Sequence, residues 1–231
     1  MSISQNVEAV RLRIGEAAVK SGRAPESVTL VGVTKTVEPD RIRGLIASGV
    51  RDIGENKVQE FLPKHEELME NGVPMCNWHF IGHLQRNKVK FVVGKTGLIH
   101  SVDTISLAEE INKRGEKLGE PVNILVEVNI AEESSKHGVS PNNVLKFVDN
   151  IVKLPFIKPK GLMCMAPYVT NPEKNRVYFC RMRHLLVDIN TKCIYDEMKD
   201  LSMGMTLDYM IAVEEGATFV RLGTALFGDR T

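Results

Sequence analysis

Several things are scarce or missing in this chain, and each absence narrows the field. No run approaches the roughly 20 consecutive apolar residues that a membrane-spanning helix needs. The opening stretch, Met1-Ser2-Ile3-Ser4-Gln5-Asn6, has neither the basic nor the apolar segment of a secretory signal. Charge of one sign is also lacking: 30 Lys and Arg stand against 29 Asp and Glu, a formal net charge of +1. Domains that bind nucleic acid through bulk electrostatics are strongly basic, so that class is excluded. The four cysteines, Cys76, Cys164, Cys180 and Cys193, show no CxxC spacing and are too few for a disulfide framework in 231 residues. They are expected to be free, mostly buried thiols. Low-complexity segments, internal repeats and linkers rich in Gly, Ser or Pro are absent too. What remains is a soluble protein with a cytoplasmic location, working on neither membrane nor nucleic acid.

What is present is a hydrophobic fraction of 43% over 231 residues, enough for a real core. A single domain spanning 1–231 is expected. Its first twenty residues read as a helix: Ile3, Val7, Val10, Ile14 and Ala17 recur at steps of four and three, and Ser21-Gly22 supplies the stop. Short β-rich runs then alternate with helical ones. The strands are predicted at Val28–Val33, Val50–Gly54, Asn77–Ile81, Leu98–Val102, Val122–Val128, Ile157–Met163, Lys199–Met203 and Thr218–Leu222. Between them, Pro39 suits the first turn of a helix that ends at Gly49. Ser140-Pro141 reads as an N-cap followed by Pro at N1, with Val144, Leu145, Val148 and Ile151 as the buried stripe. The mixed-sign run Lys57 to Glu70 reads as a solvated helix face.

Strands separated by helices must pair in parallel, because only a crossover of that length can return the chain. Eight βα units in one domain predict an α/β fold, a closed (β/α)8 TIM-type barrel with an extra N-terminal helix. A doubly wound open sheet is the competitor, but no GxGxxG follows the first strand. In Val122–Asn129 the even positions are all apolar and should face the helices. Glu127 and Asn129 then point into the barrel at its C-terminal end, where such folds place their chemistry.

Three segments carry chemistry. Lys35 shares parity with Thr29, Val31 and Val33 and would rise into the barrel mouth. Desolvation there would favour the neutral amine, the nucleophile needed for a Schiff base. The other reading is a lysine that leaves the strand for water or a salt bridge. Ser202-Met203-Gly204-Met205-Thr206 and Arg221-Leu222-Gly223-Thr224 follow strands seven and eight. Each joins a glycine to hydroxyls near a helix start, where barrels commonly bind phosphate, although tight turns and helix caps use the same residues. An aldehyde carrying a phosphate satisfies both ends of the site, which leaves pyridoxal 5′-phosphate or a phosphosugar. Arg221 would point inward, and facing a pyridine nitrogen it would keep that nitrogen an unprotonated acceptor and restrain carbanion chemistry. A structural arginine bridging to a buried carboxylate is its other reading. Asn56 could hydrogen-bond a ligand or cap the next helix. His79 and His83 have i, i+4 spacing, but on a strand and turn rather than a helix, so no metal is expected.

Taken together, these segments resemble the pyridoxal phosphate homeostasis protein family, barrels similar to the N-terminal domain of alanine racemase (fold type III). The resemblance runs nearly end to end. It rests on Leu30-Val31-Gly32-Val33-Thr34-Lys35-Thr36, Ile53-Gly54-Glu55-Asn56-Lys57-Val58-Gln59-Glu60 and Trp78-His79-Phe80-Ile81-Gly82-His83-Leu84-Gln85-Arg86-Asn87-Lys88. Gly161-Leu162-Met163, Ser202-Met203-Gly204-Met205 and Val220-Arg221-Leu222-Gly223-Thr224-Ala225-Leu226-Phe227-Gly228 complete it. The resemblance implies that Lys35 holds pyridoxal 5′-phosphate as a Schiff base. It implies that Ser202, Met205, Thr206, Gly223 and Thr224 bind the phosphate, Met205 and Gly223 through backbone N–H. Arg221 would face the pyridine nitrogen and Asn56 would lie beside the ring. Thr206 stands where the family more often has serine.

Alanine racemases add a C-terminal β domain that supplies a tyrosine base, whereas this chain ends three residues after Phe227-Gly228. The family is accordingly expected to bind and deliver the cofactor without catalytic turnover, with apo pyridoxal-phosphate enzymes as recipients. The alternative is a small racemase, lyase or Schiff-base phosphosugar aldolase. A self-contained barrel with near-zero net charge is compatible with a monomer.

Overall fold

The structure is a computed structural model that describes residues 2–70, 76–192 and 198–228; Cys193 lies outside them. Helix α1 (Ile3–Lys20) precedes the first strand. Its N-terminus is closed by a capping box in which the Ser2 hydroxyl accepts from Gln5 N–H and the Gln5 side chain accepts from Ser2 N–H. Val7, Val10, Ile14, Ala17 and Ala18 are buried along one face, and each of the larger ones contributes on the order of 2 kcal/mol by burial. Ile3, expected on that stripe, is only half-buried.

Strands β1 (Thr29–Val33), β2 (Asp52–Glu55), β3 (Asn77–Phe80), β4 (Leu98–Val102), β5 (Val122–Val128), β6 (Ile157–Cys164), β7 (Asp200–Ser202) and β8 (Phe219–Leu222) close a barrel in chain order. All eight neighbouring pairs are parallel, with β1 bonded to both β2 and β8. All eight predicted strands are therefore present, each within two residues at either end. The crossovers carry α2 (Pro39–Ala47), α3 (Val58–Glu70), α4 (Ile105–Leu118), α5 (Val144–Ile151), α6 (Arg176–Lys192), α7 (Tyr209–Glu214) and α8 (Thr224–Phe227). After β3 the crossover is a 3₁₀ turn, Arg86–Phe91, in place of a helix.

Two local expectations are corrected. The Ser140 side chain does not cap: Pro141–Asn143 forms a 3₁₀ turn before α5, and Phe147 takes the buried place expected of half-exposed Leu145. In α3, Val58, Phe61, Lys64 and Leu68 are buried, so the supposed solvated run is an amphipathic helix with a lysine on its inner face.

The parity argument holds along β5. Ile124, Val126 and Val128 belong to the core between barrel and helices, whereas Leu125 joins Leu98, Met163 and Phe219 in a separate cluster that fills the barrel. Asn129 departs from it. Its side chain donates to Glu133 O and Lys136 O and accepts from Glu133 N–H, stapling the loop after β5. No helix among the described residues is long and apolar enough to cross a membrane.

Candidate functional site

At the C-terminal ends of the strands lies a cavity of about 1120 Å³ whose wall includes Lys35, Asn56, Met205, Thr206, Arg221, Gly223 and Thr224. Seven of the eight residues singled out in the sequence thus share one space; the eighth, Ser202, sits inside the barrel against Arg221.

Lys35 follows β1 and is exposed on the cavity wall. The desolvation expected of it is not supplied by the protein's own side chains. Among the described cations of that wall, its ammonium alone lacks a hydrogen-bond or ion-pair partner: Arg41 donates to Phe227 O, Lys136 to Glu133, and Arg221 to Ser202 and Cys164 O. The next residue, Thr36, has φ +60°, strained for a β-branched side chain. The Glu60 carboxylate holds it there by accepting Thr36 N–H at 2.6 Å. Partial burial alone would raise the Glu60 carboxyl, but that bond and the Lys64 ammonium outweigh it and bring it below the usual range.

Behind Lys35, a buried ion pair fixes two strand ends at once. Lys64 Nζ donates to Glu55 Oε1 at 2.8 Å and to Thr34 O at 2.7 Å, and Thr34 Oγ1 donates to the same carboxylate at 2.6 Å. Thr34 precedes Lys35 and Glu55 precedes Asn56, so one cluster orients both. Asn56 itself presents a buried Oδ1 with no hydrogen-bond partner. A buried polar atom left unsatisfied on a cavity wall marks a place for a ligand's polar group.

Arg221 is held from beneath by a hydrogen-bonded chain that crosses the barrel. Its Nη1 donates to Ser202 Oγ at 2.6 Å and its Nη2 to Cys164 O at 2.8 Å. Ser202 Oγ lies 2.9 Å from His100 Nδ1, His100 Nε2 lies 2.9 Å from His79 Nδ1, and His79 Nε2 lies 3.0 Å from Asp52 Oδ1. The guanidinium can only donate and the carboxylate can only accept, and with both imidazoles neutral one direction satisfies both ends. Ser202 donates to His100, His100 Nε2–H to His79, and His79 Nε2–H to Asp52, which assigns both imidazoles. Burial holds His100 well below the usual imidazole range, with His79 and Arg221 adding to the effect. Among the described residues Arg221 is not salt-bridged to a buried carboxylate, the alternative its sequence position allowed.

Glu127 occupies the inner face of β5 near the top. Burial, reinforced by Asp103 and opposed by Arg221, pushes its carboxyl up to about 7. Because the folded value lies above the ordinary 4.5, the native state binds the extra proton between these limits. Its stabilising contribution is full below pH 4.5 and is lost as pH rises through 7. Glu127→Gln should therefore stabilise the fold at pH 8 by about 3 kcal/mol, a gain that shrinks on acidification towards pH 4.5. Chemical denaturation at several pH values measures it; a pH-independent difference would contradict the assignment.

Loops seven and eight meet on the opposite wall. Gly204 has φ +92°, and a Cβ there would lie 2.6 Å from Ala212 Cβ, so glycine is required by conformation and space alike. Thr206 Oγ1 accepts Ala225 N–H at 3.4 Å, joining the two loops. Met205 N–H is taken by Asp208 Oδ1 at 2.7 Å, and the other Asp208 oxygen accepts from buried Asn175. Asn175 and Asp208 also line the cavity and were not foreseen, since nothing local in the sequence joins residues 33 positions apart. Of the two histidines at i, i+4 spacing, His79 enters the barrel interior while His83 is exposed beyond β3. Cys164 is a free, fully buried thiol pushed up to about 12 by burial, and Cys76 and Cys180 are free and half-buried.

Residues 21–231 match the family described as "Alanine racemase, N-terminal domain". The chain is 43% identical over 231 residues to the pyridoxal phosphate homeostasis protein of Aquifex aeolicus, covering 100% of this chain and 99% of that one. It is 36% identical over 229 residues to the protein of the same name from Escherichia coli K12, covering 99% and 97%. Among solved structures, PipY of Synechococcus elongatus with PLP bound is 30% identical, with a TM-score of 0.86 over 98% of this chain and 100% of that chain. An alanine racemase from Clostridium difficile shares the fold alone: 16% identity and a TM-score of 0.67, over 89% of this chain and 53% of that chain. Barrel, cavity and full-length likeness agree, and the chain belongs to the alanine racemase N-terminal domain family, among its pyridoxal phosphate homeostasis proteins.

Proposed function

We propose that this protein binds pyridoxal 5′-phosphate through a reversible Schiff base on Lys35 and acts in its intracellular homeostasis and delivery, without catalytic turnover. The observation that carries this reading is an unpartnered Lys35 ammonium sharing one cavity with a buried, rigidly held Arg221. The site fits the group in three ways. Lys35 supplies an amine with no internal competitor; the unsatisfied Asn56 amide offers a polar contact beside the ring; and Arg221 offers donors only to a ring nitrogen. Thr206, Gly223 and Thr224 cradle the phosphate; the Met205 N–H expected there is instead taken by Asp208, and Ser202 holds Arg221 rather than reaching the cavity. When bound, the cofactor supplies an aldehyde for amines and a ring that can draw electrons. Arg221 limits that withdrawal, because it cannot donate a transferable proton as an acid would.

Hand-over to apo enzymes is supported by the rim. Met165, Tyr168, Met205 and Leu207 are exposed around the opening, so the cavity is reached from an apolar, accessible surface. The test is mass spectrometry of protein incubated with pyridoxal 5′-phosphate and reduced with borohydride. A pyridoxyl adduct on Lys35 is expected. If the cofactor leaves no adduct while a sugar phosphate is trapped on Lys35, the aldolase reading replaces this one. Exchange of the α-proton of L- or D-alanine at an enzyme-like rate would overturn the non-catalytic part.

A further inference from the structure

Outside the cofactor cavity, three loops at the barrel mouth bring together His83 after β3, Asp103 after β4 and His137 after β5. One ligand atom from each lies within 4.8 Å of the other two. We propose that these residues form a binding site for a divalent transition-metal ion of the zinc type, with at least one coordination position left open.

Two imidazoles and one carboxylate are a donor set that such ions favour over calcium or magnesium, which prefer all-oxygen sites. The His83 and His137 rings already stack at 3.9 Å between centroids, and His137 Nδ1 is 4.0 Å from Asp103 Oδ2. Donors around a tetrahedral zinc ion stand about 3.3–3.5 Å apart. Rotation of two exposed imidazoles towards the nearly buried Asp103 carboxylate closes that difference.

The backbone beneath each ligand is fixed. Gly82, next to His83, packs so tightly that a Cβ would lie 2.1 Å from Asn56 O, and Gly82 O accepts the Ser101 hydroxyl at 2.5 Å. That bond ties the His83 turn to the strand that delivers Asp103. Gly138, next to His137, has φ +117°, with a would-be Cβ 2.5 Å from Asn129 N. The ladder contacts Asn129 N–H to Val139 O and Val139 N–H to Glu127 O press this loop onto β5. Three ligands on three anchored turns make a preorganised site, where an accidental surface cluster would rest on free loops. His83 and His137 are exposed, so the remaining coordination is open to water or to a donor on a molecule at the mouth. Ile81, two residues before His83, and Lys136, next to His137, line the cofactor cavity, which puts metal and cofactor sites side by side.

The test is calorimetric titration of tag-free, EDTA-treated protein with zinc chloride, with the visible absorption of cobalt(II) as a second readout. One ion per chain is expected. His83→Ala, His137→Ala and Asp103→Asn should each weaken it by at least about 100-fold, more than loss of an outer-shell partner does. Melting temperatures of the two histidine variants without metal should match wild type, since both side chains are exposed. Cys180→Ser, which removes the rival Cys180–His184 pair on α6, should leave zinc affinity unchanged. Absence of binding at millimolar zinc, or binding that survives the ligand substitutions, would overturn the proposal.

Discussion

Protein carrying Lys35→Ala should remain colourless after incubation with pyridoxal 5′-phosphate and show no adduct after borohydride reduction, while wild type turns yellow and gains one. The Lys35 side chain makes no hydrogen bond or ion pair among the described residues, so its truncation removes no internal support, and the melting temperature without cofactor should stay within about 2 °C, as for other surface changes of up to 0.5 kcal/mol. The loss is then chemical rather than structural. Residual, non-covalent binding through loops seven and eight should persist, because Thr206, Gly223 and Thr224 are untouched. If the Lys35→Ala protein still forms a reducible imine, another lysine is the attachment point and the assignment fails. Lys136 is the alternative on the wall, but its ammonium is occupied by Glu133 at 2.7 Å.

The largest loss of stability is expected from Lys64→Met. Glu55 is fully buried, and without Lys64 its carboxylate would keep only the Thr34 hydroxyl, its Oε2 being already without a partner. Stranding a buried charge costs about 3–5 kcal/mol. For a chain of this size that lowers the melting temperature by on the order of 10 °C. The double variant Glu55→Leu/Lys64→Met should regain much of this, because no charge is then stranded and the volume stays filled. The single change should also weaken cofactor binding beyond its effect on folding, since Thr34 and Glu55 directly precede Lys35 and Asn56. A Lys64→Met protein that melts with wild type would show that the pair contributes nothing.

The contrast between those two lysines shows how far the sequence could be read. Lys35 was legible because it ends a strand whose parity is plain: Thr29, Val31 and Val33 share its face, and strand period is set by backbone geometry within a few residues. The same local rule marked Arg221 beside Phe219. Lys64 was invisible because its role depends on Glu55 and Thr34, at the ends of two different strands, and a mixed-sign helix looks solvated until its inner face is known. Ser202 shows the same limit. Its position in loop seven was evident, but its bonds to Arg221 and His100 join residues 19 and 102 positions away.

By itself the sequence determined the eight-unit barrel and placed seven of its candidate residues on the cavity wall, because strand parity, helix punctuation and glycine-hydroxyl loops are local and repeat along the chain, while the family followed from the resemblance of its motifs. Tertiary structure alone decided what stands behind them: the Asp52–His79–His100–Ser202 chain that holds Arg221, and the Lys64–Glu55 pair beneath Lys35. It also separated His79 from His83, sending one inside the barrel and the other to the mouth beside Asp103 and His137. The i, i+4 pair His79 and His83 falls on a strand and turn rather than a helix, which argued against a metal, yet closing the barrel brings His83, Asp103 and His137 from three successive loops within reach of one another. Such convergence comes from the radial geometry of the closed sheet, which no spacing along the chain encodes.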